Sequence, residues 1–173
     1  DDLIKSDELK LKISLDIARG MKILHSFNPP IAHRDLRSPN ILLVGLDPKY
    51  LCAKVSDFGL SLFVTEKLEG NLYSWRWMAP EVQRVEDYNE LCDLYSFGMV
   101  MYELFAQKIP FQDFKHDKEE MRRRITSDTG LRPKVPQAAP RKVQKLIVKL
   151  WKDNPEKRPS FEKCVKVLEN EME

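Results

Sequence analysis

Residues 33–40 read HRDLRSPN. A histidine, an arginine and an aspartate stand in a row, and an asparagine follows the aspartate five residues on. The stretch separates an amphipathic segment from the short apolar run ILLV at 41–44. Two readings compete. One is a polar loop that is merely charged; the other aims Asp35 and Asn40 at one small volume where a hydroxyl, a metal and a phosphate meet. The flanking sequence has to decide.

Upstream, Leu9, Ile13, Ile17, Met21 and Leu24 recur at spacings of three and four, one stripe of a long helix between Ser6 and Phe27. Asp7 and Glu8 suit its positive N-terminal end, and the Asn-Pro-Pro at 28–30 stops it. His25, alone near the C-terminal end, reads as a dipole-compatible or half-buried side chain and not as a ligand. Downstream, ILLV (41–44) and LCAKV (51–55) flank a spacer containing Asp-Pro, the chemistry of a turn, which predicts a small hairpin. Residues 57–81 follow with no clear periodicity, a length that in a compact chain marks a functional or disordered loop. Helical patterns then return near 89–106, 117–127, 140–152 and 160–172. In the third of these, Val143, Leu146, Ile147 and Leu150 form a core stripe, and Lys142, Lys145, Lys149 and Lys152 form a solvated one. The expected whole is mainly helical, with one β-hairpin next to the polar loop.

Composition narrows the classes. The 173 residues suit one domain, or one large lobe of something bigger, and 42% hydrophobic content is enough to bury a core. A formal net charge of +2 leaves no electrostatic footprint for nucleic acid, and the short basic cluster MRRRI at 121–125 reads as a solvated helix face or a local docking surface. Cys52, Cys92 and Cys164 are odd in number and far apart, with no C-x-x-C. They read as small buried hydrophobes in a reducing compartment, not as a zinc site or disulfide framework. The opening DDLIKSDELK lacks the pattern of a signal peptide. The most apolar stretch, 91–106, is too short for a bilayer and carries Asp93 and Glu103, so no membrane span and a cytoplasmic location are expected.

Further signals follow HRDLRSPN in fixed order: DFG at 57–59, APE at 79–81, DLYSFG at 93–98 and PEKRPSF at 155–161. Each three-letter match is weak alone; the ordered set is very specific. On these residues the chain resembles the eukaryotic protein kinases, over essentially its whole length, and it is similar only to the larger, C-terminal lobe of that fold. HRDLRSPNI, RWMAPE and DLYSFGMVMYEL look most like the tyrosine-kinase-like group of serine/threonine kinases. GLRPKVP at 130–136 points toward a Roco or leucine-rich-repeat type. The implied fold is α+β and mainly α-helical, one C-lobe over 1–173 with its catalytic loop at 33–40 and its activation segment at 57–81. The N-lobe is expected to be absent from these residues.

The resemblance assigns roles. Asp35 would orient the substrate hydroxyl and accept its proton late, since phosphoryl transfer rests on positioning and charge stabilisation. Asn40 and Asp57 would supply oxygen ligands to Mg²⁺ around the phosphates of ATP, the implied cofactors. Arg37, where the family more often has lysine, would neutralise the transferring phosphoryl group. Leu42 matches the position beneath adenine. His33 and Phe58 look like packed residues, and Asp93 like an acceptor for the backbone near His33 and Arg34. Glu81 and Arg158 resemble the family's ion pair between the end of the long loop and a late helix. Arg34 is expected to bind a phosphate on Ser61, Thr65 or Tyr73, placed there by an activating kinase or a trans-autophosphorylation partner. Ser74 and Met78 favour serine/threonine protein substrates, whereas HRDLR also occurs among tyrosine kinases and Tyr73 replaces a common glycine.

The glycines at 20, 45, 59, 70, 98 and 130 cannot form G-x-G-x-x-G, and Lys54 lies on the wrong strand to serve the α/β-phosphates. The missing N-lobe is therefore an expected partner, and the isolated chain is expected to be largely inactive. An apolar surface should be exposed where the lobes meet. Alternatives stay open at this point: a pseudokinase-like scaffold, a tyrosine-directed or dual-specificity kinase, or a small-molecule phosphotransferase of related fold.

Overall fold

Helix α1 (Asp7–His25) forms where the apolar stripe predicts it. Ser6 caps it by accepting from Leu9 N–H at 3.2 Å, and Asp7 and Glu8 sit in its first turn. Its stripe of Leu9, Ile13, Ile17 and Met21 is buried. The computed structural model describes residues 4–45, 47–58, 75–114, 117–128 and 130–173, and the backbone of 62–63. Gly59, Ser61, Thr65, Tyr73 and Ser74, singled out above, lie outside the described residues.

After α1 the chain makes β1 (Ile31–Ala32), a 3₁₀ turn (Ser38–Asn40), β2 (Ile41–Val44) and β3 (Cys52–Val55). β2 and β3 are the expected hairpin, antiparallel with Ile41 opposite Val55 and Leu42 opposite Lys54. Asp47 shapes the turn by accepting from Lys49 N–H through Oδ1 at 2.8 Å. The hairpin is fastened to α1, where Asp16 Oδ2 accepts from Ala53 N–H at 3.1 Å.

One expectation needs correction. The hairpin is not the single β element: β4 (Leu62–Phe63), inside the aperiodic stretch, pairs antiparallel with β1. Two-residue strands are too short to show a period of two, so their pairing is invisible in the sequence. The short helix α2 (Pro80–Gln83) was likewise hidden inside that stretch.

Helix α3 (Cys92–Ala106) is the axis of the core. It is buried nearly all round, as a helix with apolar residues on every side must be. Gly98 lets α5 (Arg141–Leu150) approach, because a Cβ there would lie 2.9 Å from the Leu150 Cβ. α5 presents its predicted face, with Val143, Leu146, Ile147 and Leu150 buried and Lys142, Lys145 and Lys149 outward. Helix α4 (Lys118–Thr126), capped by Asp117, packs against α2, and α6 (Phe161–Met172), capped by Ser160, packs along α1. The architecture is α+β and mainly helical, as expected.

Cys92 and Cys164 are buried, Cys52 is partly so, and all three are free. Burial pushes the Cys92 thiol well up and the Cys164 thiol to about 12, so both are unreactive packing residues. Among the described residues no helix is long and apolar enough to cross a membrane.

Candidate active site

The polar loop is drawn together by its own side chains. Asn40 Nδ2 donates to the Asp35 carbonyl at 2.8 Å and to Asp35 Oδ2 at 2.9 Å. Arg37 Nε donates to the same Oδ2 at 3.1 Å. Asp35 and Asn40 are almost fully buried, and the Arg37 side chain is 22% exposed. A merely solvated loop would not bury a carboxylate and an amide against each other.

Asp57 joins this group through its neighbour. Ser56 donates from N–H and from Oγ to the Asn40 carbonyl, at 2.9 and 3.0 Å. His33, wholly buried, bridges the two segments. Its Nδ1 accepts from Asp35 N–H at 3.3 Å, and its Nε2 bonds the Ser56 carbonyl at 3.0 Å. An N–H can only donate and a carbonyl only accept, so the imidazole carries its proton on Nε2. The Phe58 ring lies 5.2 Å from His33. Asp57 itself is exposed, with a left-handed φ of 63°, an unusual conformation held by its surroundings. Leu42 stands on the outer hairpin, 52% exposed, and Leu43, Val44 and Tyr50 are exposed around it.

A sequence profile of protein tyrosine and serine/threonine kinases matches residues 4–168. The chain belongs to that family. It is 43% identical over 164 residues to the probable serine/threonine-protein kinase roco11 of Dictyostelium discoideum, covering 93% of this chain and 11% of the relative. The probable serine/threonine-protein kinase qkgA of the same organism is 42% identical, with 92% and 10% covered. The serine/threonine/tyrosine-protein kinase HT1 of Arabidopsis thaliana is 38% identical, with 95% and 40% covered. The chain thus spans only a small part of the curated relatives it matches, among which the Roco kinases agree with the subgroup read from GLRPKVP.

The kinase loop is anchored from α3. Asp93, with no exposed surface, accepts from His33 N–H at 2.8 Å and from Arg34 N–H at 2.9 Å. Those bonds hold Arg34 at a left-handed φ of 70°. A third donor went unforeseen: His25 Nε2 lies 3.0 Å from Asp93 Oδ2, with its ring edge-on to Phe161. Its position in the last turn of α1 carried no hint of this, because the partner lies 68 residues away. Arg158 and Glu81 form the expected ion pair, bidentate at 2.6 and 2.8 Å. The remaining N–H groups of Arg158 reach the carbonyls of Leu91, Lys152 and Asp153, so this buried charge is fully matched.

Glu103 is the other residue that sequence reasoning passed over. It sits on α3, and burial raises its carboxyl to about 7, against lowering by bonds from Trp77 and Ser38.

The donor set suits Mg²⁺. Asp57 offers a carboxylate, and Asn40, whose Nδ2 is committed to Asp35, has its amide oxygen for a cation. Among the described residues no cluster of three or more His, Cys, Asp or Glu is placed to hold a metal. Two hard oxygen ligands, completed by phosphates, are what Mg²⁺ accepts, and they are too few for a protein-only metal cage.

Proposed function

We propose that this chain carries the catalytic loop of an Mg-ATP-dependent protein kinase acting on serine and threonine hydroxyls. The observation that carries the reading is the buried contact of Asp35 with Asn40 and Arg37, fastened through Ser56 to Asp57. Asp35 orients the substrate hydroxyl and takes its proton as the new O–P bond forms and ADP departs. Arg37, a fixed fork beside Asp35, balances charge on the moving phosphoryl group. Asn40 and Asp57 hold Mg²⁺, and Leu42 with its exposed apolar neighbours offers a floor for adenine. Bound Mg-ATP supplies the phosphoryl group and neutralises phosphate charge. The serine/threonine assignment is supported by the printed names of the Roco relatives, and a cytoplasmic setting by the free thiols.

These residues contain no G-x-G-x-x-G and no strand lysine for the α/β-phosphates, so transfer requires an N-lobe to provide them. The exposed apolar side chains of β2 (Leu42, Leu43, Val44) suit that partner. Arg34 offers a handle for regulation. Its Nε and Nη1 are buried without a hydrogen-bond partner among the described residues, and its guanidinium lies 5.6 Å from the Tyr88 ring. A phosphate on Ser61, Thr65 or Tyr73, added by an activating kinase or in trans, would satisfy them.

The test is phosphate transfer by the full-length protein with Mg-ATP, beside Asp35→Asn. Transfer that falls by orders of magnitude in the variant supports the reading. Equal transfer by both removes Asp35 from its role, and inertness of both favours a scaffold. Arg34→Ala should abolish the gain from activation-segment phosphorylation; an unchanged gain sinks that part.

A further inference from the structure

We propose that Arg76 is a specificity-determining residue, whose guanidinium receives an acidic side chain of the protein substrate near the hydroxyl that is phosphorylated. The inference rests on the kinase reading above and adds a substrate class to it. Arg76 takes the second place of a tight turn, which Met78 N–H closes by donating to the Trp75 carbonyl at 3.3 Å. The turn is fixed at both ends, because Gln83 Nε2 donates to the carbonyls of Trp75 at 3.1 Å and of Met78 at 2.8 Å. It borders the catalytic loop, since the Trp77 indole and the Ser38 hydroxyl donate to one carboxylate, that of Glu103. Trp77 is buried, whereas Trp75, Arg76 and Met78 keep part of their surface in solvent. A substrate approaching the loop therefore meets these three side chains.

The guanidinium is laid out for an anion. It lies over the Trp75 ring, 4.5 Å from the ring centre. Trp75 in turn stacks on Phe111 at 6.0 Å and 22°, and Phe111 meets Phe114 edge-on. Phe111 is buried at a left-handed φ of 61°, an uncommon conformation for a bulky side chain that its packing holds in place. A stacked guanidinium has already lost much of its rotamer freedom, and its N–H groups point outward in its own plane. Attraction to the ring acts on the face of the cation and does not satisfy those donors. The Nε of Arg76 is buried and has no hydrogen-bond partner among the described residues. A buried donor left unmet is costly, and a charged one more so. The carboxylates of the surrounding elements are engaged elsewhere, Glu81 with Arg158 at 2.6 Å, Asp113 with Lys108 at 3.0 Å, and Glu103 with Trp77 and Ser38. An incoming carboxylate supplies what the fold leaves out, since it can accept from Nε and a neighbouring Nη together, the pairing that suits a planar fork.

The experiment uses the full-length protein with Mg-ATP and a set of serine peptides. Each peptide carries glutamate, glutamine or lysine at a single place, and that place is stepped along the positions flanking the serine. The readout is the ratio of kcat/KM between glutamate and glutamine peptides within each enzyme, so that general losses of activity cancel. The wild type should prefer glutamate at one position by about tenfold, the worth of one charge-assisted contact. Arg76→Ala should erase that preference. Arg76→Lys, which keeps the charge but loses the fork and its stacking, should fall between the two. Arg76→Glu should prefer lysine to glutamate at the same position, a gain that a damaged turn cannot produce. A wild type that phosphorylates these peptides with no preference for glutamate at any position, or a preference that survives Arg76→Ala, overturns the inference and leaves the kinase reading standing. If the wild type transfers no more phosphate than Asp35→Asn, both readings fall together.

Discussion

The two ends of α3 both grip the loop at 33–40, and they do so differently. At the N-terminal end, Asp93 is fully buried and receives two backbone N–H groups and an imidazole. At the C-terminal end, Glu103 receives a hydroxyl and an indole. Backbone donors are fixed by the chain and make the first grip rigid, whereas side-chain donors can turn and make the second adjustable. Rigid anchoring belongs where a strained residue, Arg34 at φ 70°, must be held. At the C-terminal end, burial of the Glu103 carboxyl, set against bonds from only an indole and a hydroxyl, raises it to about 7.

The largest effect should come from the rigid end. Asp93→Ala strands one buried and two partly buried donors and releases the left-handed Arg34, so a loss of roughly 3–5 kcal/mol is expected in denaturant unfolding. A loss below about 1 kcal/mol would mean that the two ends are equally soft. The adjustable end should show itself through pH. The Glu103 carboxyl titrates at about 7 in the folded chain against 4.5 for a free group, so the folded state holds its proton longer. Its contribution is therefore present below about 4.5 and lost as pH rises through about 7, at most about 3 kcal/mol. Unfolding measured across that range should show a falling slope that Glu103→Gln removes.

Between the ends, Gly98→Ala drives a Cβ to 2.9 Å from Leu150 and should destabilise by about 1–3 kcal/mol, by shifting α3 against α5. Smallest is the control, far from both ends. Arg19 and Glu169 form a 2.8 Å pair on the surface, with 55% and 41% of their side chains exposed. Arg19→Ala should change stability by less than about 1 kcal/mol, and a larger change would make surface pairs rivals of the α3 anchors.

Much of this was legible in the chain. The stripe of α1, the two faces of α5 and the β2–β3 hairpin follow from periodicity and from an Asp-Pro turn. The clustering of Asp35, Arg37 and Asn40 followed from the motif order, because the residues are close in sequence and a tight turn brings them together. The partners of His25 and Glu103 were not legible. Each bond spans between 26 and 68 residues, and a histidine or glutamate on a helix looks solvated until another segment is laid over it.

By itself the sequence determined that the chain is a protein kinase, mainly helical, and it marked the long helices α1, α3, α4, α5 and α6. These depend on local pattern, capping and motif order, which tertiary contacts do not alter. Only the tertiary structure decided that His25 braces Asp93 and that Glu103 also reaches the loop, with its carboxyl raised to about 7. Both follow from which distant donors and apolar walls are packed around a carboxylate, and no local pattern encodes that.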